Sequence, residues 1–267
     1  MMKFTIFYFS GTGNTWWLVK SFCEIAQNRK HEAQYISIET PELNDSGTLE
    51  YLVEKVDIVG IAYPIYGSTM PHVMWDFVDK LVVLSQQQPT IKKKELVVLT
   101  SMMMFSGDGA LVAKKKLKPT IFDLKYAKNF ALCSNISLPY FRANPLPLDK
   151  LEKKKNKARK EMEELLSKIE AGKRTLEGRF NPFGRLIGWI QRVSVEPMIR
   201  KYTPFDIDHQ RCTRCGLCVD NCPTENISLI KDQMKVNGEK EDDKLNKGKV
   251  VMGDDCVLCL RCYNFCP

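Results

Sequence analysis

The residues best suited to chemistry are eight cysteines in two runs of one design. Residues 212–223 read CTRCGLCVDNCP and residues 256–267 read CVLCLRCYNFCP, both C-x2-C-x2-C-x3-C-P. Three thiolates at this spacing on a tight loop can each reach a different iron of one [4Fe-4S] cubane. The fourth, held by a helical turn and stopped by proline, points toward a site some distance away. Cys212, Cys215, Cys218 and Cys222, and then Cys256, Cys259, Cys262 and Cys266, are the candidate metal ligands. Thiolates also suit zinc, but a zinc ribbon needs two CxxC pairs about 15 to 20 residues apart and four ligands in all, which paired quartets fit poorly. Cys23 and Cys133 stand alone in apolar segments and read as small buried thiols.

A second chemical stretch lies near the start, in FYFSGTGNTWW. Ser10, Gly11, Thr12, Gly13, Asn14 and Thr15 fall between an expected strand and an expected helix. Glycines permit a tight turn there, so backbone N–H groups and hydroxyls can converge on an anion at the helix N-terminus. A phosphate fits that description, and a plain strand-to-helix turn is the alternative. The stretch has no G-K-[ST], which disfavours a P-loop, and no third glycine of G-x-G-x-x-G, which weakens a dinucleotide reading.

The elements that must position these residues follow from apolar patterning. Residues 3–9, 33–38, 56–63, 95–101 and a run near 127–138 read as buried strands, and residues 16–26, 72–84 and 110–117 read as helices between them. Such alternation predicts a doubly wound parallel sheet covered on both faces. Pro139, Pro145 and Pro147 end the pattern. From Leu148 a charged helix carries one apolar stripe, Ala158, Met162, Leu165, Leu166 and Ile169, and Gly172 can close it. A second helix is expected to start at Asn181-Pro182, lining up Phe183, Leu186, Ile187, Ile190 and Val193, and to finish by Pro197. The remainder is too small for much apolar core, so metal has to help hold it together. The expected domains are therefore 1–147, a basic helical connecting region 148–204, and 205–267.

Composition sets outer bounds. Of 267 residues 44% are hydrophobic and 27% charged, ordinary for a globular chain. No apolar run reaches the ~18 residues of a membrane span, and no signal-peptide pattern follows the N-terminus, which predicts a cytoplasmic protein. The net charge of +8 is concentrated in residues 150–200, where 14 basic face 7 acidic side chains. There the basic residues interleave with Glu on a helical pattern, which argues for a solvated face and against nucleic-acid binding. The segment FNPFGRLIGWIQRV mixes arginine with Phe and Trp, as helices lying on membranes do. Packing across the two domains is the expectation for it, with membrane association through residues 180–193 the alternative. His31, His72 and His209 read as surface or structural residues, and no catalytic constellation is visible.

The cysteine region resembles the two-cluster bacterial ferredoxin module. That resemblance implies one cluster on Cys212, Cys215, Cys218 and Cys266, and another on Cys256, Cys259, Cys262 and Cys222. The polar stretch from Lys231 to Lys249 departs from the family as an insert expected to loop into solvent. The Ser10–Thr15 loop resembles the flavodoxin phosphate loop, which holds the monophosphate of FMN. AYPIYGSTMP and TSMMMFSGDGA resemble the flavin-enclosing loops of flavodoxin-ferredoxin fusion proteins. By that likeness Pro64, Tyr66 and Gly67, with Ser101, Met102, Gly107 and Gly109, are further cofactor-binding candidates. The family implies a flavodoxin-like sheet of order 2-1-3-4-5, a helical linker and a small α+β ferredoxin-like domain. It also implies FMN, two [4Fe-4S] clusters, redox partner proteins, and electron transfer toward a low-potential acceptor. The competing expectations are a flavin-dependent reductase of a quinone or corrinoid and a redox-sensing module with structural clusters.

Overall fold

Strands without a polar face have to be covered on both sides. That is the state of β1 (Lys3–Tyr8), β3 (Ile58–Pro64) and β4 (Lys94–Met102), whose residues are almost all buried. With β2 (Glu32–Ser37), β5 (Phe122–Ala131) and the two-residue β6 (Thr175–Leu176) they form one sheet of order β2-β1-β3-β4-β5-β6, parallel throughout. The expected 2-1-3-4-5 order is present, extended by one strand. The computed structural model describes residues 1–103, 105–133, 146–178, 182–195, 206–230 and 248–267. They divide into two units, Met1–Met198 and Ile199–Pro267. Met104, Pro139, Pro145, Asn181, Pro197 and most of the Lys231–Lys249 insert lie outside the described residues, as does the expected strand beyond residue 133.

Parallel strands need crossovers, here made by α1 (Asn14–Asn28), α2 (Ser46–Glu54), α3 (His72–Gln87) and the one-turn α4 (Lys114–Leu117). α2 escaped the apolar patterning; Asp45 caps it, accepting the Thr48 N–H at 2.7 Å. The helix expected over 110–117 divides into a 3₁₀ turn, Gly109–Leu111, and α4. β5 begins at Phe122, not near residue 127, because its start alternates buried Phe122 and Leu124 with the half-exposed Asp123 and Lys125.

The charged helix is α5 (Leu148–Glu170), closed as expected by Gly172 at φ +63°. Its predicted stripe is buried, against Leu18 and Phe22 of α1 and Phe4, Tyr126 and Phe130 of the sheet. The segment expected to connect two domains is thus part of the first unit: α5 covers one sheet face and β6 shields the edge of β5. On the other face, Phe7 meets Phe77 of α3 with ring centroids 5.0 Å apart. Among its described residues the second unit has two short strands, β7 (Ile227–Ile230) and β8 (Lys249–Met252), paired antiparallel. It adds two one-turn helices, α7 (Leu217–Asp220) and α8 (Arg261–Asn264). Its buried apolar side chains among the described residues are Ile227, Val250, Val257 and Cys259, too few for an independent core.

Leu166 is wholly buried, so Leu166→Ala should cost about 2–5 kcal/mol of stability by urea denaturation. At the end of α5, Glu170 bonds His31 Nε2 at 2.9 Å and Arg29 at 3.0 Å, and the His31 bond foremost holds its carboxyl below the usual 4.5. A carboxylate lowered on folding contributes stability above its unfolded pKa and loses it as pH falls through the folded one. Wild-type stability should therefore converge on that of Glu170→Gln below pH 4.5 and exceed it above, in parallel urea titrations.

Candidate functional site

The carboxyl ends of β1, β3 and β4 gather the candidate loops of the first unit. After β1 the chain turns at Gly13, at φ +102°, a region favouring glycine. Ser10 Oγ accepts the N–H groups of Gly13 and Trp16, both at 3.2 Å, and so fixes the loop against the first turn of α1. Thr15 Oγ1 lies 2.8 Å from Ser101 Oγ, joining this loop to the end of β4. Asn14 joins it to the end of β5, donating to Cys133 O at 2.9 Å and accepting from its thiol at 3.3 Å. The loop fits a phosphate. α1 spans fifteen residues with no acidic side chain in its first turn, and no atom lies within 4 Å of where a Cβ on Gly13 would stand.

The other predicted flavin residues fall beside it. Pro64 ends β3 opposite Ser101, and the next residue, Ile65, donates its N–H to Ser101 O at 2.9 Å. Tyr66 and Thr69 exchange backbone hydrogen bonds of 3.0 Å, with Gly67 and Ser68 between them at φ +56° and +61°. Those are the left-handed central positions of a tight hairpin. Met102 accepts from Leu132 N–H at 2.9 Å. The Ser106–Gly109 turn is held by the Tyr63 hydroxyl, which donates to Gly109 O at 2.9 Å and is pushed above its usual pKa by complete burial. Trp17 packs between α1 and α5, beneath Lys155 and Arg159, while Trp16 is exposed.

Two of the predicted glycines sit in close packing. A Cβ on Gly109 would lie 2.5 Å from Ile65, and one on Gly107 would lie 2.9 Å from Gly188 Cα and 3.0 Å from Gly184 O. Gly184 and Gly188 belong to α6 (Pro182–Ile190), which runs into a π-turn, Gln191–Val195. Arg192 Nη1 donates to Ser68 O at 2.9 Å and to Asp108 Oδ1 at 2.6 Å, and Ser68 Oγ bonds Gln191. One helix therefore clasps both loops. Sequence reasoning missed this: the apolar stripe of the segment was expected to be its packed face, yet the packed face is glycine. Phe183, Leu186, Trp189, Ile190 and Val193 are exposed. The available signal was the four-residue spacing of GRLIG, which lets two backbones approach.

In the second unit the repeated cysteine phrase is a repeated backbone. Arg214 and Leu258, each two residues after a first cysteine, have φ +58° and +57°; Gly216 and Leu260, each following a second cysteine, have +82° and +62°. Leucine in that region is strained, so the fold of each loop is imposed from outside its own preferences. Cys222, Cys256, Cys259 and Cys262 line one pocket. Backbone N–H groups of Asn226 and Leu258 point at the sulfurs of Cys222 and Cys256, both at 3.3 Å. Burial pushes Cys259 up to about 11, and burial followed by the charge of Cys256 raises Cys262. Burial raises Cys218, with the charges of Cys212 and Cys215 adding to it. Cys266 is exposed. Among the described residues no three ligand side chains converge on a single metal ion. Cubane ligands have no need to, since each sulfur binds a different iron and the four surround a cube. The donor set, all thiolate and gathered by N–H groups, fits iron–sulfur ligation.

Residues 205–267 match the family model described as the 4Fe-4S dicluster domain. The match covers about a quarter of the chain and includes both cysteine runs. An uncharacterized polyferredoxin-like protein of Methanocaldococcus jannaschii is 32% identical over 65 residues, which are 24% of this chain and 37% of that relative. Among solved structures, the rubredoxin oxygen:oxidoreductase of Desulfovibrio gigas is 13% identical, over 62% of this chain and 37% of that one, with a TM-score of 0.40. A flavodoxin from the domain Archaea is 16% identical over 63% of this chain and 99% of that one, with a TM-score of 0.41. Flavodoxin-like is what the strand order of the first unit itself establishes. No helix among the described residues is long and apolar enough to cross a membrane.

Because α6 is seated through bare backbone, Gly188→Leu should force it off the Ser106–Gly109 turn. We expect a loss of about 1–3 kcal/mol in urea denaturation and new proteolytic cleavage near Asp108, while the iron content of the dicluster domain is unchanged.

Proposed function

We propose that this chain is an electron carrier that holds FMN on the first unit and two [4Fe-4S] clusters on its dicluster domain, buffering electrons between a donor and a low-potential acceptor protein. The observation that carries the reading is the pocket where Cys222 of the first run meets Cys256, Cys259 and Cys262 of the second, the crossed set a two-cluster module requires. Bound FMN would take up two electrons and release them singly, whereas each cluster carries one.

The protein's own part is to bind and position. Backbone N–H groups of the Ser10–Thr15 loop and the positive end of α1 would receive the flavin phosphate, with Thr12 beside it. Tyr66 and the Pro64–Gly67 turn, with Ser101 and Met102 at the end of β4, would border the ring. Cys212, Cys215, Cys218 and Cys266 would hold the remaining cluster. The lysines and arginines along α5 offer a docking face to an acidic redox partner.

Anaerobic purification with iron, sulfide and flavin counted per chain tests the proposal; about eight irons and one FMN are expected. Colourless protein, or zinc in place of iron, overturns it. Two like charges a few ångströms apart near a protein surface repel by about 4 kcal/mol. Thr12→Asp should therefore weaken FMN binding by about a hundredfold or more in a fluorescence titration, with iron content unchanged. Full flavin occupancy in that variant would displace the phosphate from this loop. Cys215→Ala should remove the signal of one cluster from the reductive titration and spare the other.

A further inference from the structure

We propose that α6 and the lysines beside it form a docking surface for an anionic lipid membrane, with the helix lying along the headgroup plane. α6 is inverted relative to an ordinary amphipathic helix of a globular unit. Its glycines, Gly184 and Gly188, face the protein, and its bulky side chains face water: Phe183 is 69% exposed and Trp189 56%, with Leu186, Ile190 and Val193 beside them. Phe183, Leu186, Ile190 and Val193 recur every three or four residues and so form one continuous stripe. Exposed apolar patches of this kind mark an interaction surface. The stripe is also held rigid, since Arg192 and Gln191 tie the helix end to Ser68 and Asp108.

What covers the stripe is indicated by the charge around it. An open cleft of about 850 Å³ adjoins α6, lined by Trp75, Lys114, Lys115, Lys118, Arg185 and Trp189 among others. The acid in its lining, Asp108, is already paired with Arg192, and nearby Lys116 is paired with Asp79. Lys114, Lys115, Lys118 and Arg185 have no ion pair among the described residues. Residues 182–195 contain no acidic side chain. Stable attachment to a membrane takes two signals, apolar insertion and a polybasic patch, and here they are adjacent. Two tryptophans at the boundary suit the headgroup layer, where one end of an indole is wet and the other is not. A lipid surface adapts to a projecting stripe and scattered lysines together, with no matching shape required. The proposal is independent of the cofactor reading, because vesicle binding requires neither flavin nor iron.

Flotation of the full chain tests it, with vesicles of phosphatidylcholine alone and of phosphatidylcholine mixed with phosphatidylglycerol. Each cation next to an anionic surface adds roughly fivefold, so binding should favour the anionic vesicles by at least about tenfold. It should fall in ~1 M salt, where the Debye length shrinks to about 3 Å. Lys114→Gln/Lys115→Gln/Lys118→Gln should remove the anionic preference. Leu186→Gln/Trp189→Gln should abolish flotation while circular dichroism and urea midpoint are retained. Phe183→Gln, at the most exposed position of the stripe, repeats that arm with the least risk to folding. Absence of flotation with both vesicle types overturns the proposal. So does anionic binding that the stripe variants leave intact, or a dimer in sedimentation that those variants dissolve, which would assign the stripe to a second copy of this chain.

Discussion

All strands of the large sheet run in one direction, and the rest of the first unit depends on that. A parallel ladder cannot be closed by hairpins, so each strand returns through a crossover, and every loop leaving a carboxyl end emerges along one edge. β1 pairs with β2 on one side and β3 on the other, so successive crossovers pass to opposite sides of it. The phosphate-type loop opens at that division, and the ends of β3 and β4 lie next to it. The fit is tight at the centre: a Cβ on Gly60 of β3 would stand 2.7 Å from Ile6 of β1. The Thr15–Ser101 hydrogen bond then turns neighbouring strand ends into one connected rim.

The second unit solves a different problem with repetition. Among its described residues the sheet has two strands and the helices one turn each, so apolar burial there supplies little. In place of a core it has two cysteine loops with left-handed residues at the same positions. Cys222 of the first copy lines one pocket with Cys256, Cys259 and Cys262 of the second, which is what supports the proposal that each copy completes a site with the other. Sequence repetition, backbone repetition and donor chemistry agree at that point.

Much of this was legible in the residues, for reasons that can be located. β1, β3 and β4 are continuous apolar runs, and only burial on both faces accommodates them. The α5 stripe stands out because its other positions are charged. The cysteines announce themselves by spacing. What escaped notice depends on partners distant in sequence or on very short elements. β6 is two residues long and exists because the edge of β5 needs cover. α2 rests on a cap, Asp45, more than on periodicity. α6 misled for a physical reason: its apolar positions were taken for its buried side, whereas its seat is a backbone-to-backbone contact with Gly107, to which side-chain hydrophobicity is blind. Gly107 also sits against α6 and Gly109 against Ile65, and a glycine needed for close approach to a ligand looks in sequence like one needed for close packing.

The hydrogen bond of Arg192 to Ser68 and its ion pair with Asp108 reach back 124 and 84 residues in sequence. The apparent seam at the prolines near residue 147 is therefore no place to divide the protein. A fragment cut there would keep every central strand yet lose the roof over Gly107 and the α5 stripe that packs on α1. The sheet and its two late helices therefore hold together as one block, and the division between the two units falls on the far side of α6.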